Sequence, residues 1–362
     1  MRILNIGELL PFVDQKPEFV VLDRGDYQVI DYVYQDKETF DIPELMECRG
    51  IKFDKYGKIL ARPFRKFFNY GERGCDLPAH RPHVITEKLD GSMIHPVKLE
   101  RRLFFHTRKG HTDVAKQAER YVLSTPERNY QQFCLLMIRD GYTPIFEYTG
   151  PNNRIVLRYE EEAMTLIAMR HTVEGTLYPY QDMFGLAAAY NVPVVKKVDI
   201  ALDGNVDAFV QHTRELIDAE GYVIYFDDGY MVKIKAEDYV LKHRALDDLG
   251  SKKKVMALCC QGFMDDVLPI LSEPDAAELI EFNDALQAEV TVITQEVKTL
   301  AQSVKQGSIT RKDFALNYAP HLEPRWLAGV AFGVMDGQNA RMLVLKAVQK
   351  NYGDFGVKWR GE

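Results

Sequence analysis

"TEKLDGSMIH", residues 86–95, sets a lysine two places before an Asp-Gly pair, with β-formers Val84 and Ile85 before it and Met93 and Ile94 after it. Asp-Gly signals a turn: glycine reaches backbone conformations closed to other residues and lets a ligand approach the main chain closely. The stretch predicts strand, sharp turn, strand, with Lys88 presented at the turn. An exposed lysine at a strand end is the ordinary reading, and a Lys-x-Asp-Gly string is short enough to recur by chance. The chemical reading makes Lys88 a nucleophile. A lysine amine has a reference pKa of about 10.4, so it attacks only where nearby positive charge or burial disfavours the ammonium. Candidate neighbours are Arg62, Arg65 and Lys66 in "ARPFRKFFNYGE" (61–72) and Lys233 and Lys235 in "MVKIKAEDY" (231–239). The same cations would hold a triphosphate.

Around this stretch the first two-thirds of the chain mixes strands with short helices. "YQVIDYVY" (27–34) is β-rich, residues 51–63 read as a hairpin about Lys55-Tyr56-Gly57, and "HVITEKL", "MIHPVKL" and "RLFFHTR" follow as three strands. Helices are expected over 113–123, 129–141, 181–191 and 206–221, strands at "PIFEYTG" and "MTLIAMR", and a hairpin over 221–235 turning at Asp228-Gly229. After about residue 240 the pattern changes. Leu279, Phe282, Leu286, Val290, Ile293, Val297, Leu300 and Val304 recur every three or four residues, one stripe on a long amphipathic helix between Pro274 and Gly307. A single stripe usually faces its own domain. The boundary therefore falls near 240–250, dividing the chain into 1–243 and 244–362.

Length and composition set outer bounds. The 362 residues suffice for two domains, and 46% hydrophobic with 27% charged residues is a globular composition. No apolar run nears the roughly 18 residues a membrane helix needs, and Glu8 interrupts the N-terminal apolar stretch, so neither a span nor a signal peptide is expected. Five cysteines without a CxxC argue against a disulfide framework or a zinc site, and point to a reducing cytoplasm. A net charge of −7 excludes a nonspecific DNA coat and confines any nucleic-acid contact to a local basic groove.

The order of short segments carries more. "ECRGIKFD" (47–54), "ARPFRKFFNYGE" (61–72), "EKLDGSM" (87–93), "TRKG" (107–110), "IFEYTGPNNRIV" (145–156), "EGYVIY" (220–225) and "MVKIKAEDY" (231–239) follow one another. The series resembles the covalent nucleotidyltransferase superfamily of ATP-dependent ligases and capping enzymes. More closely it resembles the phage-type RNA ligase 1 family of tRNA-repair ligases, over about residues 27–270. The resemblance implies an α+β fold: an N-terminal adenylyltransferase domain of antiparallel sheets flanked by helices, then an all-α C-terminal domain. It implies a bacteriophage-type, monomeric enzyme of the host cytoplasm that seals 5′-phosphate and 3′-hydroxyl RNA ends, single-stranded or in tRNA, with ATP and Mg2+.

Residue by residue, the resemblance makes Lys88 the carrier of AMP, Glu147 the partner of the ribose hydroxyls and Glu220 a metal ligand. Lys233 and Lys235, two apart on a strand, point to one face and would clamp the α-phosphate. Arg49, Lys66 and Lys109 match basic positions that contact the nucleotide. Tyr32, Phe68 and Tyr239 match positions lining the pocket, although a strand aromatic is usually core. Glu87, Asp90 and Gly91 belong to the lysine motif itself, whose variable residue here is the apolar Leu89. Asp265 and Asp266 in "QGFMDDVL" (261–268) match acids that engage a second hydrated metal. A capping guanylyltransferase or DNA ligase of the same superfamily would carry an appended β-barrel, which the helical stripe argues against. An RNA-end-binding protein without catalysis would not need the intact Lys88, Glu147, Glu220, Lys233 and Lys235 set.

Overall fold

Lys88 sits on a link between two sheets, and the first part of the chain is built around that link. The computed structural model describes residues 1–362 apart from Lys37, Ala201, Asp203, Gly204, Gly361 and Glu362 and the side chain of Asp266. The chain divides into two units, Met1–Val240 and Leu241–Glu362.

The first unit opens with an antiparallel meander of β1 (Phe19–Asp23), β2 (Tyr27–Tyr32), β3 (Ile51–Asp54) and β4 (Ile59–Ala61). Then come β5 (Phe68–Asn69), β6 (His83–Glu87), β7 (Ser92–Leu99), β8 (Arg102–His106), β9 (Tyr142–Thr149), β10 (Ala163–His171), β11 (Gly221–Phe226) and β12 (Met231–Lys235). They form two further sheets, ordered β5-β12-β11-β6 and β10-β9-β7-β8. Every pairing but the parallel β12–β5 is antiparallel. The fold class is α+β, as the resemblance implied.

Alternation along the strands explains the layering. On β11 and β12, Val223 and Met231 meet Ile145, Ala168 and Phe64 between the two sheets. Ile224, Phe226, Val232 and Ile234 point the other way, onto Phe209 and Val210 of the helix Val206–Arg214. Burial on both faces is why these strands read as near-continuous apolar runs. On β9, Phe146 and Tyr148 pack with the helices Asp113–Ser124 and Tyr130–Arg139, which leaves Ile145 and Glu147 on the face toward the other sheet. Each large side chain buried in this way contributes roughly 1.5–3 kcal/mol.

The expected elements differ from the observed ones in instructive places. The strand read through Leu89 ends at Glu87, which frees Lys88 from the sheet. The helix read over 206–221 stops at Arg214. Beyond it Asp218 takes a positive φ of 53°, which a helix does not allow, and Glu220 turns inward to its ion pair with Lys88. Strand β1, the two-residue β5 and the helix Pro43–Glu47 had no strong periodic signal and were not anticipated.

In the second unit the helix Glu273–Lys305 begins at Ser272, whose hydroxyl accepts from the Asp275 amide at 3.4 Å. Its stripe buries Leu279, Phe282, Leu286, Val290 and Val297 against the helices Lys252–Gln261, Trp326–Met335 and Ala340–Lys350. The stripe is the core of its own unit. Gly307, at φ 76°, follows the helix end. Among the described residues no helix is long and apolar enough to cross a membrane.

Candidate active site

The four residues Lys88 to Gly91 carry the chain from β6 in one sheet to β7 in the other. Lys88 donates its amide to the Gly221 carbonyl at 2.9 Å, the last tie to β11. Gly91 lies so close to β9 that a Cβ would stand 2.3 Å from the Tyr148 carbonyl oxygen. Asp90 is buried. One carboxylate oxygen accepts from the amides of Val156 (2.8 Å) and Leu157 (2.7 Å), the other from the Tyr239 hydroxyl (2.7 Å). Its own amide donates to the Tyr159 hydroxyl at 3.1 Å. Asp90 and Tyr239 thus anchor the turn to the "RIV" segment and to the helix after β12.

Two lysine side chains converge on Glu220, which is buried. Lys88 Nζ lies 2.7 Å and Lys235 Nζ 3.0 Å from the same Glu220 oxygen. Lys235 also lies over the Tyr239 ring, 4.7 Å from its centre. Glu147, opposite Met93 on β7, accepts from the Gly91 amide at 3.2 Å. Burial pushes its carboxyl up to about 8 against the pull of Lys88, and the neighbouring Glu220 and Asp90 carboxylates add to the rise. Lys233 lies over the Phe67 ring at 5.2 Å. Burial brings its ammonium down to about 7, helped by Lys88, Lys66, Arg49 and Lys235. A pocket that disfavours its own cations in this way is prepared for a polyanion.

Behind this group lies an aromatic cage. Lys66 sits over Tyr32, Phe40 and Phe68 at 5.4, 5.3 and 5.6 Å and donates to the Gln35 side chain. Tyr32 and Phe68 are therefore walls for a lysine. Burial pulls the Lys66 ammonium down. Burial also raises the Tyr32 phenol, but Lys66, Arg108 and Arg49 outweigh it and hold the phenol below its ordinary value. Arg49 reaches the Phe64 carbonyl and the Met93 sulfur, each at 3.5 Å. Lys109 is exposed on an open groove of about 410 Å³ shared with Arg49, Ser92, Thr107 and Arg108.

Other nominated groups lie elsewhere. Arg62 is buried on Glu47, which offsets its charge, and Arg65 donates to the Gly229 carbonyl at 3.3 Å. Glu87 ends β6 opposite Tyr222. Asp265 is exposed on the short helix Met264–Val267 of the second unit, and the Asp266 side chain lies outside the described residues. Among the described residues no three His, Cys, Asp or Glu side chains gather to hold a metal by themselves. Sequence reading missed Arg108, which pairs with buried Asp31 at 3.1 Å and stacks on Tyr32 at 4.3 Å. It sits one residue before the nominated Lys109, and no local signal separates the two. Tyr159 was missed as well; its only cue was a position just past "RIV".

A family model covers more than half of the chain. The family model described as RNA ligase matches residues 47–240. A Thermovibrio ammonificans protein provisionally named an RNA ligase is 28% identical over 287 residues, 76% of this chain and 74% of that protein. The RNA ligase of Rhodothermus phage RM378 is 22% identical over 401 aligned positions, 91% of this chain and 89% of that protein. The solved structure of an archaeal ATP-dependent RNA ligase superposes with a TM-score of 0.46 at 13% identity, covering 68% of this chain and 64% of that one.

Proposed function

This chain belongs to the phage-type RNA ligase family, its matched segment spanning Lys88, Glu147, Glu220, Lys233 and Lys235, and from that premise we propose that it seals RNA ends with ATP through an AMP carried on Lys88. The observation that carries this reading is the shared Glu220 oxygen, 2.7 Å from Lys88 Nζ and 3.0 Å from Lys235 Nζ, with Lys233 beside them.

In the first step Lys88 Nζ, after losing a proton to solvent, attacks the α-phosphorus of ATP. A P–N bond forms, the P–O bond to the β-phosphate breaks, and pyrophosphate leaves. In the second, an oxygen of an RNA 5′-phosphate attacks the same phosphorus and Lys88 leaves as the amine. In the third, a 3′-hydroxyl attacks the RNA 5′-phosphorus, a phosphodiester forms and AMP departs. Covalent catalysis divides one difficult condensation into three in-line transfers. Lys233 and Lys235 stabilise the charge that builds on the α-phosphate. Glu147, held largely as the neutral acid at pH 7, meets the ribose hydroxyls and keeps a second negative charge away from the phosphates.

The donor set suits a metal that keeps most of its water. Glu220 is already neutralised by two ammonium groups and Glu147 is mostly protonated, so the protein offers little anionic charge of its own. Mg2+ arriving with the triphosphate fits that description, with Glu220 as its protein ligand. It would screen the phosphate charges and help pyrophosphate leave.

The acceptor is a 5′-phosphate on RNA, and the biological role is RNA repair, with broken tRNA as the substrate class. The test is adenylylation. The protein is stripped with pyrophosphate, mixed with ATP labelled on the α-phosphate and Mg2+, and denatured. Label is expected on wild type and only background on Lys88→Ala. Equal label on both, or none on stripped wild type, ends the reading.

A further inference from the structure

Lys52 is fully buried on β3 and has no part in the chemistry above. Its Nζ donates to three main-chain carbonyls, those of Gly50 at 2.6 Å, Thr107 at 3.0 Å and Arg108 at 2.8 Å. An ammonium has three N–H donors and no acceptor, so the match is complete. The carbonyls come from two segments far apart in the chain. Gly50 follows Arg49, and Thr107 and Arg108 begin a turn closed by reciprocal Thr107–Gly110 bonds of 2.9 and 3.1 Å. The segments touch at Gly50, which has φ 79° and where a Cβ would stand 2.7 Å from the Arg108 carbonyl oxygen. Bonds to main-chain carbonyls set backbone position, and the Arg49 and Arg108 side chains extend from that backbone.

The surroundings make this an expensive place for a cation. Burial draws the Lys52 ammonium down to about 7, with Asp31 on β2 opposing and the Arg108 guanidinium adding to the fall. His95 on β7 and His106 on β8 also face it, both fully or almost fully buried and both kept neutral by that burial. An apolar side chain of the same length would avoid the desolvation. It would also take a donor from each of these three carbonyls, of which Thr107 keeps the Gly110 amide.

We propose that Lys52 is a positioning residue of the nucleotide site: it ties the Arg49 segment to the Thr107–Gly110 turn and so holds both guanidinium groups in place for the phosphates of ATP. The inference rests on the proposed function. Lys52→Met keeps the stem and removes the donors, Lys52→Arg keeps charge and donors, and Gly50→Ala wedges the two segments apart without touching Lys52.

Wild-type labelling at Lys88 is measured first. Lys52→Met and Gly50→Ala are then expected to raise the KM for ATP in that step at least tenfold while kcat changes less than threefold. Lys52→Arg is expected to stay within threefold of the wild-type KM. A folded Lys52→Met with a wild-type KM overturns the proposal, as does a Lys52→Arg as impaired as Lys52→Met. If Lys52→Met does not fold, Gly50→Ala decides, and an unchanged KM there overturns it. If wild type takes no label the functional reading fails, yet the tie remains measurable. Hydrogen exchange at the Thr107 and Gly110 amides should then quicken at least tenfold in Lys52→Met, and unchanged protection overturns the tie.

Discussion

Glu47 receives two arginines where no water reaches. Arg170 donates to its two oxygens at 2.6 and 2.8 Å, and Arg62 approaches the same oxygens at 3.0 and 3.1 Å. The guanidinium groups also reach the carbonyls of Pro63, Val173, Gly175 and Met1, so every nitrogen of both has a partner. Burial alone would raise the Glu47 carboxyl, but Arg170 and Arg62 hold it at about 2. Its folded value is depressed, so this contribution is complete above the unfolded value near 4.5 and is lost as pH falls from there toward 2. Glu47→Gln leaves two arginines buried without a counter-charge. It should cost about 3–5 kcal/mol, read as an earlier unfolding transition in urea at pH 7. Glu147 has the opposite sign. Its folded carboxyl is raised from 4.5 to about 8, so the folded state keeps a proton that the unfolded chain releases, and stability falls as pH rises between those values. Glu147→Gln should abolish that slope. In the absence of ATP, the variant should gain melting temperature over wild type between pH 5 and pH 8, and parallel curves would refute the shift.

At the scale of elements, the link between β6 and β7 matters most. Its length of four residues, the Asp90 anchor and the glycine packed on β9 together aim Lys88 at Glu220. Gly91→Ala forces a methyl into the space of the Tyr148 carbonyl, and the link must shift to relieve a 2.3 Å contact. A misplacement of about 1 Å costs on the order of 100-fold in rate. Adenylylation of Lys88 should slow by about that factor, with ATP in excess. Sequence periodicity had found β6, β7, β9, β10 and the β11–β12 hairpin because each has a buried face that demands a regular pattern. Two of the elements it extended too far stop at Glu87 and at Arg214. Both errors occur where a side chain leaves its element to make an ion pair, and an ion pair with a distant residue has no local periodicity.

At the scale of the whole molecule, a net charge of −7 coexists with a cleft where Lys88, Lys66, Arg49 and Lys235 lie close enough to Lys233 to add to the burial that lowers its ammonium. Composition could exclude a basic coat but could not locate this concentration, because it depends on which strands lie side by side. The fold class, the strand-turn-strand around Lys88, the self-facing stripe of the long helix and the ordered motif series that places the chain in its family are all legible along the chain. These are properties of nearest neighbours and of period, so they are written locally. Packing assigns Arg62 to Glu47 and not to a phosphate, makes Asp90 and Tyr239 anchors of the turn, joins Arg108 to Tyr32 and Asp31, and lets Lys52 bridge two segments. A buried charged group takes whatever partner the fold brings within about 3 Å to repay its lost hydration. That partner is fixed by the packing of sheets, and a linear reading does not contain it.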